Sequence, residues 1–360
     1  MFLLSPFIRM KINTVNYNNQ NTAFKSIWTN KAVLKGFETI SDHSASFIAA
    51  TSLAMASFVR PISIAHTPNV KKENKEHAIA NSIASGLIKF AMVEAIALPI
   101  ENSIKKIDKN PQKYLTQKTI DTFQSGAKSL SESGNYKFAT QFIKQSSGFI
   151  TAIPKSILTV ALIPPIIKFI FGDKKKSNLN EEHSVYNQPN RIFDNDFPNN
   201  KPSFKGIITE KAAIGIGKIL NNSLVQNAAQ KFSTNSANIT RNMVIATDLL
   251  LSGSFALRTM KSEKIDKDRK KPLIVNNLIS TGISVAGGYS IDKAVKKGTD
   301  KFIDKFARIN KDNPKLAKYI EGINILRPTI IFAAIYYGIL PIISTFIADK
   351  TDNQKTEKTN

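Results

Sequence analysis

The sequence feature that most constrains the fold is an apolar run near the C-terminus, residues 328–348. The run reads PTIIFAAIYYGILPIISTFIA and contains no lysine, arginine, aspartate or glutamate. A helix rises about 1.5 Å per residue, so a run of this length covers the roughly 30 Å hydrocarbon core of a bilayer. Arg327 and Lys350 flank the run, as cations do at a membrane surface. We interpret residues 328–348 as the clearest membrane-span candidate in the chain.

Five further apolar stretches have helical character, which gives three stretches in each half of the chain. The six stretches cover residues 44–64, 78–100, 146–171, 240–260, 272–292 and 325–348. Alternating apolar and polar runs are nearly absent, as are Asn-Gly and Asp-Gly turns, whereas alanine and leucine recur at helical spacing. The sequence therefore predicts an all-α fold.

Short sequence matches recur in the same order in the two halves, which indicates a tandem duplication. The matched pairs are 24–32 with 204–212, 50–60 with 246–258, 81–87 with 277–283, 100–106 with 291–297, 110–111 with 313–314, and 165–174 with 341–350. We predict that each copy holds about three long apolar helices and one basic amphipathic helix. Shared compositional bias is the alternative explanation of the matches.

The segments outside the two predicted copies are polar. Residues 1–23 are rich in asparagine, residues 174–203 are rich in asparagine and contain several prolines, and residues 351–360 are highly charged. We predict a disordered lead, a flexible linker and a disordered tail, respectively. The two helical copies then occupy residues 24–173 and 204–350.

The number of membrane spans is left open by charged residues within the apolar stretches. Residues 272–291 and 328–348 are free of charge and are the best span candidates. The other stretches contain charged residues that are costly near the centre of a bilayer, among them Lys89, Glu94, Lys155, Lys168 and Asp248. If all six stretches spanned the membrane, lysine and arginine would divide almost equally between its two sides and would assign no orientation. We predict membrane association, with a soluble, cytoplasmic helical bundle as the alternative.

The formal net charge of +23 favours anionic partners. A basic amphipathic segment lies between the second and third stretches of each copy. Its apolar face consists of Ile120, Phe123, Ala127 and Leu130 in the first copy, and of Val295, Phe302, Ile303, Phe306 and Ile309 in the second. Such a helix lies well on an acidic lipid surface or docks on a protein core. We predict anionic lipid headgroups as the partner, with a second copy of this chain or another helical membrane protein as further candidates.

Nucleic acid is not expected as a partner. Arginine is scarce relative to lysine, and Trp28 is the single tryptophan, with no cluster of aromatic and basic residues around it. Proteins that read nucleic acids usually rely on arginine forks and exposed aromatic rings.

The sequence contains no recognisable catalytic, cofactor or metal motif, so we predict that the protein is not an enzyme. It has no cysteine, and its four histidines lack zinc-ligand spacing. The candidate functional residues are polar groups within the apolar stretches, namely Asn81, Ser85, Lys89, Glu94, Asp248 and Asn277. Such groups need partners, which could be another helix, a water-filled path or a solute.

Two functions are compatible with these patterns if the chain enters a membrane. One is a non-catalytic scaffold or interaction protein at an anionic membrane. The other is a secondary transporter built as an inverted repeat, because three spans per copy would turn the second copy upside down. The transporter hypothesis places residues 101–145 and residues 293–327 on opposite sides of the membrane.

Overall fold

The computed structural model describes residues 28–68, 72–171, 207–261 and 267–343. The predicted lead, linker and tail lie outside these ranges. Within them every regular element is a helix and no strand is present, so the predicted all-α class is confirmed.

The N-terminal half, residues 28–171, begins with a short helix and is dominated by two very long ones. Its helices are α1 (Lys31–Asp42), α2 (Ser44–Ala54), α3 (Arg60–Ala65), α4 (Lys72–Lys109), α5 (Pro111–Tyr114), α6 (Gln117–Gln124) and α7 (Gly134–Phe171). A π-helical turn, Met55–Val59, joins α2 to α3 without a break in the helical chain. The side chains of Asn30 and Thr116 accept hydrogen bonds from the first turns of α1 and α6, which fixes where these helices begin.

The C-terminal half, residues 207–343, contains fewer short elements. Its helices are α8 (Ile207–Leu220), α9 (Ser223–Phe232), α10 (Ile239–Lys261), α11 (Lys267–Ile309) and α12 (Leu316–Ala334). A second π-helical turn, Ile335–Ile339, continues α12. In the N-terminal half α2 pairs with α4, and α7 packs beside them. In the C-terminal half α10 pairs with α11, and α12 packs beside them.

The first helix of each half packs on the other half. Trp28, Leu34 and Phe37 from the α1 region surround a core formed by Phe306, Tyr319 and Ile323 of α11 and α12. In the opposite direction, three apolar side chains of α8 enter a core formed by α4, α6 and the start of α7. These side chains are Ala213, Ile216 and Leu220. The two halves therefore exchange their leading helices.

Two glycines allow this exchange because the helices approach at backbone distance. A Cβ atom at Gly217 of α8 would lie 2.7 Å from the carbonyl oxygen of Tyr114. At Gly322 of α12, a Cβ atom would collide with the backbone of Phe37 in α1. A side chain at either position would push the leading helix away from its partner.

The long helices divide the molecule into an apolar part and a polar part. We define the apolar part as residues 44–65, 78–100, 146–171, 240–261, 272–291 and 328–343. The polar part is residues 28–43, 101–145, 207–239 and 292–327. Asp42 of α1 binds both Lys105 of the N-terminal half, at 3.5 Å, and Lys318 of the C-terminal half, at 2.7 Å. Residues 101–145 and 293–327 therefore lie at the same end of the bundle.

The predicted basic amphipathic segments pack partly on protein. In the N-terminal half Ile120 and Phe123 are buried in the core beneath α8. In the C-terminal half the segment is the last part of α11, where Phe306 is buried but Val295 and Phe302 are exposed. Docking on a protein core therefore accounts for Ile120, Phe123 and Phe306, whereas Val295, Phe302 and Ile309 remain exposed.

Four helical segments in the described part of the chain are long and apolar enough to cross a membrane. They are Ser44–Ala65, Ala78–Lys109, Ser236–Lys261 and Leu316–Ile343. Residues 272–291, predicted as one of the two best spans, are not among the four, because Asn276 and Asn277 and several small residues lower the mean hydropathy. In the stretch 146–171 the backbone is helical, but side chains after residue 154 lie outside the described set.

Candidate functional site

Each half buries one carboxylate where the apolar part meets the polar part. Glu101 lies on α4 and Asp292 lies on α11, and neither has any exposed surface. The two acids also occupy matching positions in the aligned segments 100–106 and 291–297. Buried carboxylates require strong partners, and the two acids obtain them differently.

Glu101 is held by the first turn of α2. Its Oε1 atom accepts hydrogen bonds from the backbone N–H groups of Ala45, at 2.8 Å, and Ser46, at 3.1 Å. Its Oε2 atom accepts one from the Ser46 hydroxyl at 2.7 Å and lies 3.1 Å from Nδ1 of His43. A helix N-terminus carries partial positive charge and free N–H groups, so the carboxylate caps α2 from the side.

Asp292 is held by two arginines. Arg327 of α12 donates from Nε at 2.7 Å, and Arg241 in the first turn of α10 donates from Nη1 at 3.3 Å. Arg241 also lies over the ring of Tyr289, 4.8 Å from its centroid. Two guanidinium groups on one carboxylate leave a local charge of +1. Arg327 was expected to flank a span at the membrane surface, but packing of α12 against α10 and α11 buries its side chain to 4% exposure.

Polar side chains of α7 connect these two acids into one layer. The Ser44 hydroxyl donates to Oε1 of Gln141 at 2.7 Å, and the Gln145 amide donates to the Thr240 hydroxyl at 2.9 Å. Gln145 also donates to Gln141, and Thr240 directly precedes Arg241. We call this set the polar layer; it comprises Ser44, Ser46, Glu101, Gln141, Gln145, Thr240, Arg241, Asp292 and Arg327.

Several buried atoms in and beside the polar layer have no hydrogen-bond partner within the described ranges. They include Nη1 and Nη2 of Arg327, Oε1 of Gln145, Oδ1 of Asn324 and Oγ of Ser147. Buried polar atoms in proteins are almost always satisfied, by ordered water or an ion where protein is absent. The layer can therefore bind water or an anion. No group of histidine and acidic residues in the described part of the chain is arranged to hold a metal ion.

Ion pairs of the polar part lie on the far side of the layer from the apolar helices. Tyr136 donates to Asp108 at 2.7 Å, and burial, together with that carboxylate, raises the pKa of Tyr136 well above its usual value. Burial also raises the pKa of Asp42, but its hydrogen bond from Lys318 and the surrounding lysine charges outweigh this, so the pKa is lowered. These contacts fix α1, α4, α7 and α12 at one end of the bundle.

One of the six sequence-predicted site residues contacts the polar layer. Glu94 accepts a hydrogen bond from the Ser46 hydroxyl at 3.2 Å, one step from Glu101. Asn277 donates to the hydroxyl of Ser252 at 2.7 Å, and Asp248 accepts from Ser284 at 3.4 Å. The last two residues therefore bind neighbouring helices of their own half.

The other three predicted residues all lie on α4. Ser85 donates to the carbonyl of Ser82 at 3.1 Å, Oδ1 of Asn81 is buried without a partner in the described chain, and Lys89 is half-buried. The hydrogen bonds of Ser85, Glu94 and Asn277 each stay within one half of the molecule.

Sequence reasoning did not select Glu101, Asp292, Arg241 or Arg327 as site residues. The available signal was the acid that follows the apolar run at the matching position of each half, Ile100-Glu101 and Ile291-Asp292. The two arginine partners of Asp292 carry no comparable sequence signal.

Comparison with known proteins finds no matching family model, no matching curated protein and no matching solved structure. Function is therefore inferred from the residues and their contacts alone.

Proposed function

We propose that this chain is a non-catalytic scaffold or interaction protein that embeds its apolar part in a membrane and holds its polar part against one anionic membrane surface. The observation that carries the proposal is the large apolar surface of the apolar part. Phe58 is 70% exposed, and Ile62, Leu87, Leu257 and Met260 are each about 60% exposed. Burying such a side chain contributes roughly 1.5–3 kcal/mol, which lipid would provide here.

The distribution of cations supports one orientation. The segments at the polar end, residues 28–43, 101–145, 207–239 and 293–327, carry 23 lysines and arginines. The described residues of the connections at the opposite end, 66–68, 72–77, 261 and 267–271, carry seven. The polar part therefore has the stronger attraction for an acidic lipid surface and corresponds to the cytoplasmic side under the positive-inside rule.

The path of the chain limits how the N-terminal half crosses the membrane. Helix α7 runs from the polar part into the apolar part, yet α8 is back at the polar end, where Glu210 binds Lys106 and Lys113. If α7 crossed completely, residues 172–206 would have to recross the bilayer. Their sequence is too polar for that. We therefore propose a spanning hairpin of residues 44–65 and 78–100. Residues 146–171 of α7 form about 39 Å of helix, so α7 must lie tilted to stay short of the opposite surface.

The transporter alternative has less support. An inverted repeat needs residues 101–145 and 293–327 on opposite sides, whereas Lys318 lies 3.5 Å from Asp108 and 2.7 Å from Asp42. The soluble-bundle alternative leaves the apolar surface in water.

Matching contacts support a tandem duplication in which both copies face the same way. Lys75 donates to the carbonyl of Ala65, and Lys270 donates to that of Met260, in each case ten residues back along the chain. The buried acids and the exchanged leading helices are also paired between the halves. We propose that the two halves are duplicated copies in parallel orientation.

A cysteine-accessibility scan tests the membrane proposal cleanly, because the chain has no native cysteine. We expect Lys109→Cys and Lys311→Cys, both at exposed positions of the polar part, to label from the same side of sealed vesicles. Lys72→Cys and Lys271→Cys should not label from that side. Labelling of residues 109 and 311 from opposite sides would favour the inverted repeat. Release of the protein by alkaline carbonate would exclude membrane insertion.

A further inference from the structure

Arg327 is the most incompletely satisfied charged group in the described structure. Of its three guanidinium nitrogens, Nε binds Asp292, while Nη1 and Nη2 are buried and have no partner among the described residues. Its side chain is 4% exposed, so bulk water does not solvate these atoms. Leaving charged donors buried and unpaired is among the most destabilising arrangements in a protein.

The unpaired atoms form the edge of the guanidinium that binds oxyanions. Nη1 and Nη2 together donate parallel hydrogen bonds to two oxygens of a carboxylate or a phosphate. Asp292 occupies the Nε position instead, and its second oxygen is taken by Arg241. Among the described residues, no group therefore occupies the Nη1 and Nη2 fork of Arg327.

The local charge also requires an anion. Arg241 and Arg327 carry two positive charges, and Asp292 supplies one negative charge. A singly charged oxyanion would therefore neutralise the cluster of Arg241, Arg327 and Asp292. Oδ1 of Asn324 and Oε1 of Gln145 have no donor among the described residues. Each can accept a hydrogen bond from a bridging water or from a protonated phosphate oxygen.

We propose that Arg327, supported by Arg241, binds a phosphate-class oxyanion in the polar layer. Inorganic phosphate and the phosphate of a lipid headgroup share this chemistry. The layer lies where the apolar part ends, at the depth at which lipid phosphates lie if the proposed membrane insertion holds. The anion site itself does not depend on insertion, because it rests on the buried fork and the local charge.

The test uses the full-length protein in detergent micelles, with the thermal midpoint followed as inorganic phosphate is added at constant ionic strength against sodium chloride. We expect a saturable rise for the wild type, as ligand binding to the native state requires. Arg327→Lys keeps the positive charge beside Asp292 but loses the fork, and it should weaken the apparent phosphate affinity at least tenfold. Arg308→Lys, at an exposed position of α11, is the matched control and should respond like the wild type.

Asn324→Asp keeps the proposal testable if Arg327→Lys does not fold. Position 324 is one helical turn before Arg327, so the new carboxylate can take the place of the anion. We expect a higher midpoint without phosphate and no further response to phosphate. A lower midpoint for Asn324→Asp, or an equal phosphate response in Arg327→Lys and wild type, would overturn the proposal.

Phosphorus analysis of the purified wild-type protein separates the two sources. Phosphorus that partitions into organic solvent after denaturation identifies a lipid, and phosphorus that stays in water identifies the free ion. A wild type that holds no phosphorus and shows no saturable midpoint shift would also overturn the proposal. If the anion site is found in a protein that carbonate releases, the site stands while the membrane proposal fails.

Discussion

The two halves bury an acid at the same point of the fold but stabilise it by different means. Glu101 is bound by backbone N–H groups and a hydroxyl of α2, with His43 beside it. Asp292 is bound by two arginines from different helices. A hydrogen-bonded acid tolerates replacement by an amide of the same shape, whereas a buried cation that loses its counter-ion does not. The comparison therefore predicts unequal effects of equivalent substitutions.

Asp292→Asn should have the largest effect, because it removes the carboxylate that pairs with both Arg241 and the buried Arg327. Breaking a buried ion pair by removing one partner costs about 3–5 kcal/mol. Denaturant titration in detergent measures the loss. Asp300→Asn is the control, since its ion pair with Lys296 is partly exposed to solvent and such pairs are worth at most about 1 kcal/mol. Equal losses for the two variants would show that the arginines do not depend on Asp292.

Glu101→Gln should cost less, about 1.5–3 kcal/mol, which is the range for hydrogen bonds to a charged group. The glutamine oxygen can still accept from the N–H groups of Ala45 and Ser46, and the Ser46 hydroxyl can rotate to accept from the new amide. The same titration applies. A loss as large as that of Asp292→Asn would contradict the proposed difference between the halves.

The exchanged leading helices permit a second comparison between the halves. Gly217→Ala and Gly322→Ala should each destabilise the protein by about 1–3 kcal/mol, because the new methyl group meets a backbone that must move. Gly215→Ala is the matched control on the same helix, with nothing within 4 Å of its Cβ position. It should stabilise α8 by up to about 1 kcal/mol. The thermal midpoint should therefore fall for Gly217→Ala and Gly322→Ala and rise for Gly215→Ala.

Glu210→Gln should have the smallest effect, and that effect should depend on pH. Lys113, together with Lys106 and Tyr114, lowers the pKa of Glu210 from 4.5 to about 2. Because the folded-state pKa is depressed, its contribution is complete above pH 4.5 and disappears as the pH falls towards 2. The difference in thermal midpoint between wild type and variant should close over that range. Glu132→Gln, an exposed position, should show no such pH dependence.

The sequence was sufficient to predict the helical class, because helical periodicity is a local property. It placed a boundary near residue 292, yet α11 continues from Lys267 to Ile309. No proline interrupts the helix near residue 292, where α11 passes from the apolar part into the polar part. Similarly, α12 begins at Leu316 and contains Pro328, since tertiary packing overrides the helix-start signal of that proline.

The polar layer could be predicted only in part. The acids stand in aligned segments, but the arginines that bind Asp292 are 51 residues before it and 35 residues after it. Whether these side chains meet depends on how α10, α11 and α12 pack. The exchange of leading helices could not be predicted either. The apolar pattern of α1 shows which face is buried but not which half of the chain covers that face.

That exchange also constrains the order in which the chain can fold during synthesis. The core around Ile104, Ile107 and Phe123 stays open until Leu220 has been made. Helix α1, made first, must wait for α12, whose Glu321 binds Ser41 across 280 residues. Domains are usually finished from the N-terminus as they leave the ribosome. The first helix of the described chain is therefore among the last to find its partner.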